Sequence, residues 1–300
     1  MTSTSPTSGA ARPRRASLVD GEFSLTGEDL RRIAAMLQAD AGIHLSDSKA
    51  ALVYSRLSKR LRALGLPSFA AYCALLAGPD GGAERRQMLA ALTTNVTAFY
   101  REPHHFAHLG ERVLPPLLAA ARRGGRVRLW SAACSNGAEP YTIALTILGQ
   151  MPDAAAHDIK VLATDIDPNM VAAGHAGVYG EPALRPVPAE LRRRWFVPAR
   201  AADGGKAWAV ADELRQLVAF RELNLIGDWP MSGRFQAIFC RNVVIYFEEA
   251  TQARIWSRFV PLLAPGGQLY IGHSERVSGP AAASLQSDGI TTYRLREARP

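Results

Sequence analysis

From Phe23 to about Leu92 the apolar positions recur at helical spacing, and no alternating strand pattern interrupts them. Thr26 is placed to cap a helix running through Leu30, Ile33, Ala34 and Leu37. Ser46 is placed to cap a second helix from Ser48 to Leu64, stopped by Gly65. Two more helices are predicted over 69–76 and 85–92. After Thr93 the rhythm changes. Short apolar runs, VRLWSAA, IKVLATDID, LVAFRELNL, FQAIFCRNVVIYF and GGQLYIGHSE, alternate with helical stretches, the signature of a parallel sheet covered on both faces. In EPYTIALTILGQ, residues Tyr141, Ala144, Leu145 and Leu148 share one helical face and Pro140 suits the first turn. EEATQARIWSRFVPLLAPGG reads as a helix ending at Pro265 and Gly266, and TTYRLRE as an edge strand.

One segment breaks the alternation. Residues 185–222 hold two strand-like runs around a Gly-Gly turn, which predicts a small antiparallel β insertion in an α/β domain. Residues 1–20, rich in Ser, Thr, Pro, Arg and Gly, predict a disordered tail. The domain plan is therefore a tail over 1–20, a helical domain over 21–92 and an α/β domain over 93–300.

Composition narrows the class. At 300 residues and 48% hydrophobic the chain can bury a large core. No apolar run approaches the eighteen or so residues of a membrane span, and the basic N-terminus precedes no apolar signal core, so a cytoplasmic protein is expected. Cys73, Cys134 and Cys240 are far apart, in no pairing suited to a disulfide or zinc, and no metal site is expected. A net charge of +8 points to an anionic partner without choosing among nucleic acid, lipid and an acidic protein.

In an open α/β sheet ligands lie beyond the carboxyl ends of the strands. In SAACSNGAEPY the small residues Ala132, Ala133, Ser135 and Gly137 let a ligand approach the backbone, although a tight strand-to-helix turn has the same composition. Asp165, closing the apolar run of LATDID, is placed to accept ribose hydroxyls, and Asp167, before Pro168, to cap the next helix. Asn224 in ELNL is placed to meet an adenine edge or simply to turn the chain. These features describe an adenosine cofactor. The first loop lacks G-x-G-x-x-G, which disfavours a dinucleotide; S-adenosylmethionine has no phosphate, and Glu139 suits its ammonium group.

TTNVTAFYRE, WSAACSNGAEPYTIA, ATDID, LNL and FCRNVVIYF, in this order behind a helical domain, closely resemble the chemotaxis-receptor glutamate O-methyltransferases of the CheR type, from about Phe23 to Leu295. The resemblance implies a Rossmann-like S-adenosylmethionine-dependent methyltransferase sheet, with S-adenosylhomocysteine as product. By position it implies a cofactor site of Asn95, Thr97, Arg101, Ala133, Glu139, Asp165, Asn224, Leu225, Arg241 and Asn242, with Arg101 and Tyr246 facing the methyl group and the incoming carboxylate. Relatives usually carry two adjacent acids in the second motif; here Ala138 replaces the first, and Tyr100 stands where Phe is common.

A glutamate, with a pKa of about 4.3, is already ionised at neutral pH, so its methylation needs positioning and partial dehydration rather than a general base. Arg101 is assigned to positioning, and His273 to a structural role. On the second helix, Val53, Leu57, Leu61 and Leu64 form the apolar face and Lys49, Arg56 and Arg60 lie beside it, with Lys59 and Arg62 extending the positive surface. A solvated charged face is the usual explanation of such a run; the resemblance implies instead that Lys49, Arg56, Lys59 and Arg60 meet the acidic helices of methyl-accepting receptors. It also implies a monomer, transient association with receptor arrays, and, in some relatives, tethering of a receptor C-terminal peptide by the β insertion. The alternatives are a methyltransferase acting on nucleic acid or another protein, and a non-catalytic cofactor-binding scaffold. CRNVVIYF has no amine-activating Pro-Pro pair, so no nucleic-acid partner is expected.

Overall fold

A computed structural model describes residues 17–19 and 21–297. It divides into two compact units, one built from Leu45–Leu92 and the chain up to Leu37, the other from Gln38–His44 and the chain from Thr93 onward. Of the tail expected over 1–20, all but Ser17–Val19 lies outside the described residues.

In the first unit β1 (Ser17–Val19) pairs antiparallel with β2 (Leu25–Thr26), a strand pair that the helical periodicity did not signal. The helix α1 (Gly27–Ala41) opens with a reciprocal cap: Asp29 N–H donates to Thr26 Oγ1 and Thr26 N–H to Asp29 Oδ2, each at 3.2 Å. A 3-10 turn over Asp47–Lys49 delays α2 to Ala50–Leu64, so Ser46 is not its cap. Gly65, at φ 64°, ends it in the left-handed region open to glycine. Ser68 Oγ caps α3 (Phe69–Ala77), and α4 runs over Gly82–Leu92, one turn earlier than its periodicity suggests. Leu30, Ile33, Val53, Leu57, Leu61, Phe69, Tyr72 and Met88 make the core. Leu64, expected inside, is 40% exposed; Ser58 is buried instead, its hydroxyl returned to the Tyr54 carbonyl at 2.6 Å.

The second unit is a seven-stranded sheet. After α5 (Pro103–His108) and α6 (Leu114–Arg122), β3 (Val127–Ala132) enters its middle. The chain then runs through α7 (Ala138–Gln150), β4 (Ile159–Asp165) and α8 (Pro168–Ala176). Next come β5 (Val178–Gly180), α9 (Ala189–Trp195), β6 (Phe196–Arg200), β7 (Lys206–Val210), α10 (Asp212–Gln216) and β8 (Val218–Glu222). It closes with β9 (Phe235–Cys240), α11 (Glu249–Phe259), β10 (Leu263–Ile271), α12 (Ala281–Ser284), β11 (Leu285–Gly289) and β12 (Thr292–Leu295). The sheet order is β11-β12-β10-β9-β3-β4-β8, parallel from β10 to β8 and antiparallel at the β11-β12 end. Successive strands go one way from β3 and later ones the other, so the switch point lies between β3 and β9, where Ala132 and Cys240 are level in register.

Burial explains the sequence pattern. The strand β3 alternates weakly because Leu129 and Trp130, on opposite faces, are both fully buried, and the Trp130 indole N–H finds Thr164 Oγ1 at 2.9 Å. The helix α7 is buried around its circumference, with Ile143 and Ile147 as inaccessible as Tyr141, Leu145 and Leu148. Each such Leu or Ile contributes roughly 1.5–3 kcal/mol.

Four sequence-based expectations change. The insertion is a three-stranded antiparallel sheet, β5-β7-β6, that spans Val178 to Val210 rather than 185–222, and Val218–Glu222 belongs to the main sheet as the LVAFRELNL run predicts. The run FQAIFCRNVVIYF is a strand only to Cys240; Val244–Tyr246 is a 3-10 turn. The helix expected to reach Pro265 stops at Phe259, because Val260–Leu262 tightens to 3-10 geometry before β10. TTYRLRE supplies β12, which is one strand in from the edge; β11 forms the edge and went unread.

Candidate active site

The loops beyond β3, β4, β8, β9 and β10, together with the segment after α4, carry the residues picked out from the sequence as the cofactor site. Among the described residues six non-glycines have positive φ, and five of them are here: Tyr100, Glu102, Ala133, Ser135 and Asn242, at 50–61°. Each such conformation costs roughly 1–2 kcal/mol, and strain of this kind persists only where surrounding contacts over-determine the backbone.

Those contacts form two networks. In the first, Asp165 at the end of β4 is 6% exposed and accepts the Ser135 N–H on Oδ2 at 2.8 Å and the Asp167 N–H on Oδ1 at 3.0 Å. Ser135 Oγ donates to the Asn95 carbonyl at 2.9 Å, and Asn95 Nδ2 to Asp167 Oδ2 at 2.9 Å. Asp167 caps α8 through its other oxygen, as its place before Pro168 suggested. Burial pushes the Asp165 carboxyl above the usual carboxylate range, against the pull of the N–H groups of Asp167 and Ser135.

The second network is a buried ion chain. Arg241 follows β9 with its side chain 2% exposed. Its Nη1 meets Glu139 Oε2 at 2.9 Å; its Nη2 donates to the Arg101 carbonyl and lies 3.3 Å from Glu102 Oε2. Glu139, in the first turn of α7, also accepts the Ser131 hydroxyl at 2.7 Å. Burial raises its carboxyl, opposed by the Arg241 guanidinium and the Ser131 hydrogen bond. For Glu102 burial is outweighed by the hydrogen bond from His273, the Arg241 charge and the Asn242 amide, which together hold it down at about 2. Glu102, His104 and His105 also place ligand-type atoms within 4.8 Å of one another, but Arg241 already supplies the cation that faces Glu102.

The remaining positions are distributed around these networks. Arg101 is half-buried; its Nη1 meets the Val96 carbonyl at 2.9 Å and, among the described residues, it pairs with no carboxylate. Thr97 and Ala133 are half-buried in their loops. Asn224 forms an Asx turn, accepting the Ile226 N–H at 3.1 Å and donating to the Asp40 carbonyl at 2.7 Å, beside the buried Leu225. Tyr246 ends the Val244–Tyr246 turn half-buried, so it is neither a strand residue nor a core aromatic. His273 is 65% exposed and pairs with Glu102 at 3.0 Å. Sequence reading missed Glu102, Ser131 and Glu275, since nothing in their local sequence distinguishes them from ordinary loop or strand residues.

Lys49, Arg56, Lys59 and Arg60 belong to the helical unit, and two of them are committed there. Arg60 forms a two-pronged pair with Glu84, at 2.9 and 2.5 Å, and Arg56 Nη1 donates to the terminal α4 carbonyls of Leu92 and Ala91, at 2.9 and 3.3 Å. The acid absent between positions 49 and 62 arrives from another helix. Lys49 and Lys59 are exposed.

The arrangement fits S-adenosylmethionine by the chemistry of its donors. Asp165 uses two of about four lone-pair positions and retains two for a ribose diol. Glu139 and Arg241 offer both signs of charge to a zwitterionic amino-acid end, and Arg241 Nε is buried without a partner. A parallel sheet with these groups beyond its carboxyl edge defines a Rossmann-like, S-adenosylmethionine-dependent methyltransferase. Residues 95–293 match the family model described as CheR methyltransferase, SAM binding domain, and residues 28–93 the one described as CheR methyltransferase, all-alpha domain. A probable chemotaxis protein methyltransferase of Rhizobium etli is 56% identical over 86% of this chain and 96% of that protein. Chemotaxis protein methyltransferase 2 of Pseudomonas aeruginosa is 44% identical over 91% and 94%, and the chemotaxis protein methyltransferase of Escherichia coli 42% identical over 85% and 87%. The chain belongs to the CheR methyltransferase family.

Proposed function

We propose that this enzyme transfers the methyl group of S-adenosylmethionine to glutamate side chains in the helical cytoplasmic region of chemoreceptors, forming glutamate methyl esters and releasing S-adenosylhomocysteine. The observation that carries this reading is Arg101. Arg241, Glu139, Glu102 and Asp165 are all engaged by partners, whereas Arg101 is held by one main-chain carbonyl and meets no carboxylate among the described residues. An arginine so placed is ready for an anionic substrate.

When bound, S-adenosylmethionine supplies an electrophilic methyl on a sulfonium whose leaving group departs neutral. The residues that would hold it are Asn95, Thr97, Ala133, Glu139, Asp165, Asn224, Leu225, Arg241 and Asn242. Arg101 then holds one oxygen of the substrate carboxylate and leaves the other free to attack, while the Tyr246 hydroxyl orients it. No proton has to be removed from a carboxylate at neutral pH, so the chemistry needs orientation and exclusion of water rather than a base. The neighbouring histidines suit that requirement: burial, then the Arg241 and His104 charges, hold His105 down at about 3, and His273 is tied to Glu102.

Lys49 and Lys59 would meet the acidic receptor helices, in a cytoplasmic protein acting as a monomer at receptor arrays. The β5-β7-β6 sheet would tether a receptor peptide by strand addition at an edge. The test is incubation with radiolabelled S-adenosylmethionine and chemoreceptor membranes. Base-labile label on receptor glutamates is expected, and Arg101→Ala should lower turnover at least ~100-fold with an unchanged melting temperature. Base-stable label, labelled RNA, or full activity in the variant would overturn the reading.

A further inference from the structure

The turn that follows β10, Gly272–Glu275, contains none of the expected cofactor or substrate residues. Its last side chain is nevertheless built into the loop that carries three of them. Glu275 is 8% exposed, and its carboxylate accepts four main-chain N–H groups: Asn242 at 2.9 Å and Gly272 at 2.6 Å on Oε2, Val243 at 2.9 Å and Val244 at 3.0 Å on Oε1. Three successive amides after β9 therefore converge on one buried charge. The last two open the Val244–Tyr246 turn, where main-chain donors have no partner within the turn itself. Charge-assisted bonds of this kind are the strong ones, and a carboxylate is isolated from water only where such donors compensate it.

A second observation shows how closely the two turns fit. A Cβ on Gly272 would lie 2.5 Å from Asn242 Nδ2 and 2.7 Å from Asn242 N, so glycine is required by the approach of the neighbouring backbone. From the other side, Glu102 Oε1 accepts the Asn242 side-chain amide at 3.3 Å. Asn242 sits at φ 58° inside this clamp, between Arg241, fixed by Glu139, and the turn that ends at Tyr246.

We infer that Glu275 is a positioning residue: with Gly272 it holds the Arg241–Tyr246 loop in the conformation that presents Asn242 to the cofactor and Tyr246 to the methyl acceptor. The inference rests on the cofactor-site reading given above. It does not require Glu275 to touch either ligand.

Glu275→Gln keeps the size of the side chain but replaces one acceptor oxygen with an amide that faces N–H donors. Three measurements decide: calorimetric affinity for S-adenosylhomocysteine, melting temperature, and amide exchange over 241–246 compared with β3. Expected are an affinity at least tenfold weaker and amides of 242–244 exchanging at least tenfold faster, with β3 exchange unchanged. A merely structural carboxylate would instead speed exchange in β3 as well. A folded variant with wild-type affinity overturns the inference, whether or not its loop exchanges faster. If Glu275→Gln does not fold, Gly272→Ala decides, since it displaces Asn242 without altering charge; unchanged affinity there overturns the inference. Wild-type protein that binds no S-adenosylhomocysteine overturns the cofactor reading and this inference together, whereas wild-type binding with unaffected variants overturns this one alone.

Discussion

Each unit holds an arginine–glutamate pair drawn together from distant parts of the chain, and the two pairs do different work. In the helical unit, Arg60 grips Glu84 with two prongs while the Tyr72 hydroxyl takes Glu84 Oε1 at 2.8 Å. Arg60 remains 28% exposed, the backbone around it is helical, and the pair staples α2 to α4. In the methyltransferase unit, Arg241 is 2% exposed and joins two carboxylates, Glu139 and Glu102, to a main-chain carbonyl. Around it lie strained residues, and the Arg241 Nε and Glu102 Oε2 atoms are buried without a hydrogen-bond partner. A pair that saturates its partners stabilises a fold; a chain of charges left partly unsatisfied on a strained frame is what the proposed cofactor site would draw on.

The sharpest way to break that contrast is Arg241→Met, which leaves Glu139 and Glu102 buried without their cation. A loss of about 3–5 kcal/mol in denaturant unfolding is expected, together with loss of S-adenosylhomocysteine binding. Retained binding in a folded variant would show that the chain of charges is only a staple.

Glu84→Gln should remove about 1–2 kcal/mol of stability, because Arg60 is partly solvated, while cofactor affinity stays at the wild-type value. Weakened affinity there would erase the distinction between the two pairs.

His105 sharpens it through pH. Its side chain is fully buried and held at about 3, mainly by burial and then by Arg241 and His104, while an unfolded histidine titrates near 6.5. Between these values the unfolded chain binds the extra proton, so stability is complete above pH 6.5 and falls on acidification towards pH 3. Between pH 7 and pH 5 about 1–2 kcal/mol should be lost, and His105→Gln should flatten that part of the profile. An unchanged slope would remove His105 as its source.

The smallest structural effect is expected from the double variant Lys49→Glu, Lys59→Glu. Both side chains are exposed, so the melting temperature should not move, whereas KM for receptor membranes should rise several-fold at low salt and converge on wild type as salt screens the charge. Equal KM at low salt would leave these lysines as plain solvated charge.

Much was legible in the sequence because it is local. Gly65 after an apolar period, Thr26 at a helix start, and Asp167 before Pro168 each act within a few residues, and the structure carries all three out. The five apolar runs became the five parallel strands; two-sided burial demands continuous hydrophobicity in β3, β4, β9 and β10, whereas β8 at the edge buries only Phe220. Errors arose where local pattern met a distant partner. FCRNVVIYF has the composition of a strand, but the N–H groups of Asn242, Val243 and Val244 are taken by Glu275, more than thirty residues away, and a ladder is impossible there. The basic face of α2 looked uniform until Glu84 arrived from α4 and Arg56 turned to the α4 carbonyls.

By itself, then, the sequence determined the helices of the first unit, the order of the five parallel strands, and the residue types at their ends on which the proposed cofactor site is drawn. Tertiary structure alone decided which charges neutralise one another, which loop residues bear strain, and that Arg101 should meet no carboxylate among the described residues. The physical reason is range: periodicity and capping act over a few residues, whereas a buried ion pair depends on which segments the sheet topology brings side by side.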